Sequence, residues 1–134
     1  MNPLHMLVVE DEAISRKVMV SFLTPLGSCD TAETGKAAVD AFRRSIETGK
    51  RYDLITLDIK LPEMNGDEVL QEIRRIETDS GTQPGDGVRI IMTTVMDDPK
   101  GIMDTFKNQC DAYIIKPVDK TKLIEQIRKL GLLG

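Results

Sequence analysis

Short apolar runs alternate with amphipathic stretches along the whole chain, and that rhythm sets the fold class. Met6–Val9, Leu54–Leu57, Val88–Met92 and Ala112–Ile115 are clear runs, and Ser28–Ala32 is a weaker one. Apolar runs this short, bounded by polar segments, predict buried strands. Ile14, Val18 and Phe22 recur at helical spacing and predict a first helix packed on that stripe, stopping at Pro25-Leu26-Gly27. Thr34 predicts the cap of a second helix that carries Ala38, Ala41, Phe42 and Ile46 inward and ends at Gly49. A third helix begins near Gly66-Asp67 and buries Val69, Leu70, Ile73 and Ile76, after which Thr78 to Gly87 reads as a polar loop. Asp98-Pro99 opens a fourth helix with Ile102, Met103 and Phe106 inward. Asp119 caps a last helix bearing Leu123, Ile124, Ile127 and Leu130 and ending at Gly131. Five strands alternating with five helices predict an α/β fold with a doubly wound, mainly parallel sheet, for which the expected order is the flavodoxin-like 2-1-3-4-5, with strand one beside strand three.

Length and charge narrow the function. The 134 residues, 40% hydrophobic with a net charge of -4, suit one domain over 1–134 with no output domain. The acidic balance argues against direct nucleic-acid binding, which needs a basic footprint. No apolar run approaches the roughly 20 residues of a membrane span, and no signal-like N-terminus is visible, so neither membrane nor export is expected and the cytoplasm is. Cys29 and Cys110 lack metal or redox spacing and read as small hydrophobes in a reducing compartment.

Ligands of such sheets bind beyond the carboxyl ends of the strands. Glu10-Asp11 follows strand one, Asp58 strand three, Thr93-Thr94 strand four and Lys116-Pro117 strand five. With strand one beside strand three, Glu10, Asp11 and Asp58 meet in one crevice. Such crowding of carboxylates calls for a proton or a divalent cation, and all-oxygen ligation selects a hard ion such as Mg²⁺. Thr94 brings a hydroxyl and Lys116 a compact charge, both suited to a phosphoryl group carried by Asp58 as an acyl phosphate.

These residues resemble the receiver domain of two-component response regulators along the whole chain. Val8-Val9-Glu10-Asp11-Glu12 is similar to that family's first strand and acidic pair, and Asp58-Ile59-Lys60-Leu61-Pro62-Glu63-Met64-Asn65-Gly66 to its phosphoacceptor segment. Ile90-Ile91-Met92-Thr93-Thr94 resembles the strand that ends in a hydroxyl, and Tyr113-Ile114-Ile115-Lys116-Pro117 the last strand with its switch aromatic. The resemblance implies that Asp58 accepts a phosphoryl group from a histidine kinase or His-phosphotransfer protein. It implies that Asp11 holds Mg²⁺ directly, Glu10 partly through water, and Lys60 through its backbone carbonyl. Thr94 and Lys116 would contact the phosphate. Tyr113 would turn inward with Thr94, remodelling the face of the fourth helix, fifth strand and last helix for an effector protein. It also implies a cis Lys116–Pro117 bond. Val95 stands where the family usually has alanine or glycine, and its branched side chain is the expected gate to Asp58.

Rival chemistries fit less well. A haloacid dehalogenase-type phosphatase lacks its general acid, since Lys60 stands there. A nucleotide hydrolase lacks its glycine-rich phosphate loop. A flavin phosphate would meet Glu10-Asp11-Glu12 and be repelled. The chain is therefore expected to be no turnover enzyme beyond self-catalysed transfer and dephosphorylation at Asp58. A receiver-like docking module that is never phosphorylated stays open as the second reading. Alone, Glu10-Asp11 would be a helix cap, Thr94 a turn hydroxyl and Lys116 a solvated strand end.

Overall fold

A computed structural model describes residues 3–83, 85–95 and 109–133. Five strands form one parallel sheet in the order β2-β1-β3-β4-β5. They are β1 (Leu4–Val9), β2 (Gly27–Ala32), β3 (Leu54–Asp58), β4 (Arg89–Thr94) and β5 (Ala112–Ile115). The α-helices among the described residues are α1 (Ala13–Leu23), α2 (Gly35–Thr48), α3 (Gly66–Asp79) and α4 (Lys120–Lys129). The order agrees with the prediction. The helix expected at Asp98-Pro99 lies outside the described residues.

Strand pleating sorts the core into two layers. Leu7 and Val9 of β1 point toward α2 and α3, where Phe42, Leu70 and Ile73 are buried. Met6 and Val8 point the other way, toward Met19 and Leu23 of α1 and Leu123 and Ile127 of α4. Each fully buried aliphatic side chain contributes about 1.5–3 kcal/mol, so the central strands, covered on both faces, anchor everything at their ends.

Helix α1 departs from its predicted face. Ile14 and Val18 are 71% and 40% exposed, whereas Met19 and Leu23 are buried. Two adjacent stripes of four-residue spacing run along this helix, and the crossover from β1, not periodicity, selects which one meets the sheet. Phe22 is partly buried against the same layer. Caps elsewhere follow the sequence: Thr34 Oγ1 accepts from Ala37 N, and Asp119 Oδ1 accepts from Thr121 N and Lys122 N. Gly49 ends α2 in the left-handed region at φ 76°.

At the amino ends of the strands, two polar clusters close the sheet. Glu77, one turn beyond Ile73, is buried because Arg74 and the backbone N–H of Val88 satisfy its carboxylate at 2.7 and 2.6 Å. Arg74 also donates to the Gln109 carbonyl and to Asp111, tying α3 to the chain entering β5. His5 stacks on Tyr52, with its ring nitrogens 3.2 Å from the Arg51 carbonyl and from Asp30. Burial and the hydrogen bond to Asp30 push the Tyr52 phenol well above its ordinary range.

Gly66 lets the loop after β3 fold back on the strand end. Its N–H donates to the Ile59 carbonyl at 2.8 Å, and a Cβ there would lie 2.4 Å from the Asp58 carbonyl oxygen. Gly66→Ala is expected to destabilise the protein by about 1–3 kcal/mol, measured as a lowered urea midpoint. An unchanged midpoint would mean that this loop is free to move off β3.

Candidate functional site

The polar residues that follow the strands gather on one rim. Glu10 and Asp58 are 5% and 6% exposed, and Asp11 beside them is exposed. One carboxylate oxygen from each of Glu10, Asp11 and Asp58 lies within 4.8 Å of the others. Parallel pairing explains the convergence: β1 and β3 are neighbours in register, Val9 opposite Leu57, so the next residues emerge side by side. Glu10 and Asp58 share a face because each continues the parity of Val8 and Thr56.

Lys116 enters from the end of β5, on the far side of β4. Its Nζ lies 2.6 Å from Glu10 Oε2 and 3.0 Å from Asp58 Oδ2. Asp58 Oδ1 accepts from Lys60 N at 3.1 Å, and Glu10 Oε1 from Glu12 N at 3.3 Å. Burial pushes the Glu10 carboxyl above its ordinary value, with the Asp58 charge adding to the rise and Lys116 opposing it. Burial pulls the Lys116 ammonium down, but its hydrogen bonds to Glu10 and Asp58 outweigh that and hold it above the usual lysine value. The crevice thus keeps a charged ammonium between two buried carboxylates, leaving the cluster rich in oxygen donors.

That donor set fits a hard divalent cation. Three carboxylates from two strand ends, one of them open to solvent, match the oxygen ligation and retained water that Mg²⁺ prefers. Lys60 is exposed and its N–H is committed to Asp58.

The remaining predicted residues surround this cluster. Thr94 is buried at the end of β4, and its carbonyl accepts from Lys116 N at 2.6 Å. Thr93, opposite Asp58 in register, accepts from Ile59 N at 3.0 Å. Thr93 and Thr94 thus belong to the strand itself. Tyr113 is half-buried on β5 against the α2–α3 layer. Val95 is 63% exposed and borders a groove of about 420 Å³ with Glu10, Ile14, Val18, Met19 and Lys116. Lys116–Pro117 is cis, as the resemblance implied.

Arg16 is a site residue that sequence reasoning missed. Its guanidinium reaches the backbone carbonyls of Glu10 and Asp11. The only hint was a cation six residues beyond Glu10, a spacing that a helix face alone explains.

Residues 6–128 match the response regulator receiver domain, and the chain belongs to that family. It is 35% identical over 127 residues to the probable transcriptional regulator ycf27 of Cyanidium caldarium, covering 94% of this chain but 45% of that protein. It is 25% identical to the chemotaxis protein CheY of Thermotoga maritima, covering 95% of this chain and 97% of that one. Among solved structures it is similar to the receiver domain of sensor histidine kinase PA1611 from Pseudomonas aeruginosa PAO1, a structure with a magnesium ion coordinated in the active site cleft. The TM-score is 0.75 at 25% identity, over 97% of this chain and 99% of that one. The chain is accordingly a signalling module of two-component systems. No helix among the described residues is long and apolar enough to cross a membrane.

The electrostatics give a signed pH dependence. Glu10 titrates above its ordinary 4.5 in the fold, so from 4.5 up to its folded value the native state keeps a proton that the unfolded chain has lost. Stability therefore falls as pH rises through that window. Removing Lys116 takes away the interaction that opposes the rise, so Lys116→Met is expected to extend the window upward, at roughly 1.4 kcal/mol per unit. Urea unfolding of both proteins between pH 5 and 8 in chelator measures this; a cost of Lys116→Met independent of pH would contradict it.

Proposed function

We propose that this receiver accepts a phosphoryl group on Asp58 from a phosphohistidine of a histidine kinase or His-phosphotransfer protein and then switches a surface that an effector protein reads. The observation that carries the reading is the Lys116 ammonium set between Glu10 and Asp58, 2.6 and 3.0 Å from their oxygens. An Asp58 oxygen attacks phosphorus, the phosphorus–nitrogen bond breaks, and the electron pair leaves with the donor imidazole, which takes up a proton. Magnesium held by Glu10, Asp11, Asp58 and the Lys60 carbonyl would neutralise charge on the phosphoryl oxygens. Lys116 exchanges its contact with the Asp58 carboxylate for one with the new phosphoryl group, and the Thr94 hydroxyl accompanies it. That movement lets Tyr113 turn inward and alters the face of β5 and α4.

The exposed side chains of Ile14, Val18 and Val95 support donor docking at the mouth of the crevice. They are large apolar groups gathered around one groove that Glu10 and Lys116 also line. Val95 there narrows the approach of small donors and of water. The acidic chain works in the cytoplasm through protein partners, without direct contact with nucleic acid or membrane, and turns over nothing but its own phosphoryl group.

Intact-mass spectrometry after incubation with acetyl phosphate and Mg²⁺ tests the chemistry. A single phosphate adduct is expected, absent in Asp58→Asn and in chelator. If neither acetyl phosphate nor a phosphorylated histidine donor yields the adduct, the protein is a docking module instead.

A further inference from the structure

Arg16 stands at the fourth residue of α1, near the positive end of the helix dipole, where a cation opposes the dipole. Helix stability does not account for it. The side chain is only 17% exposed, and its Nη2 lies 3.0 Å from Glu33 Oε1, in the loop after β2. Its Nη1 donates to the Glu10 carbonyl at 3.0 Å and the Asp11 carbonyl at 3.4 Å. Glu10 N in turn donates to the Ala32 carbonyl, next to Glu33, at 3.0 Å. One guanidinium thus joins α1, the end of β1 and the loop after β2. It grips the two acidic residues by their backbones, so their carboxylate oxygens remain available to the crevice.

We propose that Arg16 is a positioning residue for cation binding: its fork fixes the backbone of Glu10-Asp11 so that both carboxylates face Asp58. The inference rests on the reading of the crevice as a magnesium site. A planar fork holds a pair of carbonyls and a carboxylate at once, and a lysine ammonium on a flexible stem does not reproduce that geometry. Groups that orient metal ligands without touching the metal commonly change affinity by 10- to 100-fold.

The sign of the effect separates positioning from simple charge. Coulomb attraction alone predicts tighter cation binding once a nearby positive charge is removed. Positioning predicts weaker binding, and predicts it for Arg16→Lys as well, where the charge is kept.

Calorimetric titration of MgCl2 into wild type, Arg16→Met and Arg16→Lys at constant ionic strength tests this, with the melting temperature of each measured in EDTA. The Kd for Mg²⁺ is expected to rise by roughly tenfold in both variants, with the metal-free melting temperature establishing that each variant is folded where it is titrated. A Kd equal to or below that of wild type in either variant overturns the proposal. If Arg16→Met does not fold, Arg16→Lys carries the test. Wild type that takes up no Mg²⁺ sinks the metal-site reading and this inference together. Wild type that binds while the variants match it sinks this inference alone.

Discussion

Two buried carboxylates side by side at the end of a sheet cannot both stay ionised without compensation, and the architecture of this protein follows from how that is supplied. Glu10 and Asp58 are brought together by the pairing of β1 with β3, which the hydrophobic core enforces. A single ammonium, Lys116, spans both. It reaches them because β4 and β5 follow β3 across the sheet, and because its own N–H is held by the Thr94 carbonyl. The cost of burying these charges makes the cluster a poor source of stability and a sensitive site for anything that changes the local charge. On the proposed function, an added cation or phosphoryl group would redistribute the contacts of Lys116, and Tyr113 stands on β5, the short strand that Lys116 directly follows.

Around this charged centre the backbone supplies the rigidity. Gly66 allows the loop after β3 to lie against the Asp58 carbonyl, and Arg16 grips the carbonyls of Glu10 and Asp11. The opposite end of the sheet is closed by the Arg74–Glu77–Asp111 cluster and by His5 on Tyr52. Both faces of the central strands are apolar, so the charges concentrate at the strand ends, where loops give them access to solvent.

The strands were legible because four- and five-residue apolar runs between polar segments have few other readings, and β5 has the predicted limits, Ala112–Ile115. Caps were legible at Thr34 and Asp119 because their chemistry is local. The acidic cluster was legible only through strand order: Glu10 and Asp58 are 48 residues apart, and parallel pairing alone joins them. Contacts that depend on the third dimension were not legible. The Ile14–Val18 stripe of α1 faces outward, and nothing in its spacing distinguishes it from the Met19–Leu23 stripe that is buried. The burial of Glu77 has no local signal, because the Val88 N–H that joins Arg74 in satisfying its carboxylate is brought to it by the fold. His5, a lone histidine in no motif, joins β1, β2 and the chain before β3.

The acyl phosphate proposed at Asp58 is a bond that borohydride trapping examines directly. Reduction of a phosphorylated sample converts an aspartyl phosphate to homoserine, and peptide mapping locates the converted residue. Homoserine is expected at position 58 and at no other aspartate, with none formed when the donor is omitted. Conversion at Asp11 or elsewhere, with Asp58 intact, would contradict the proposal.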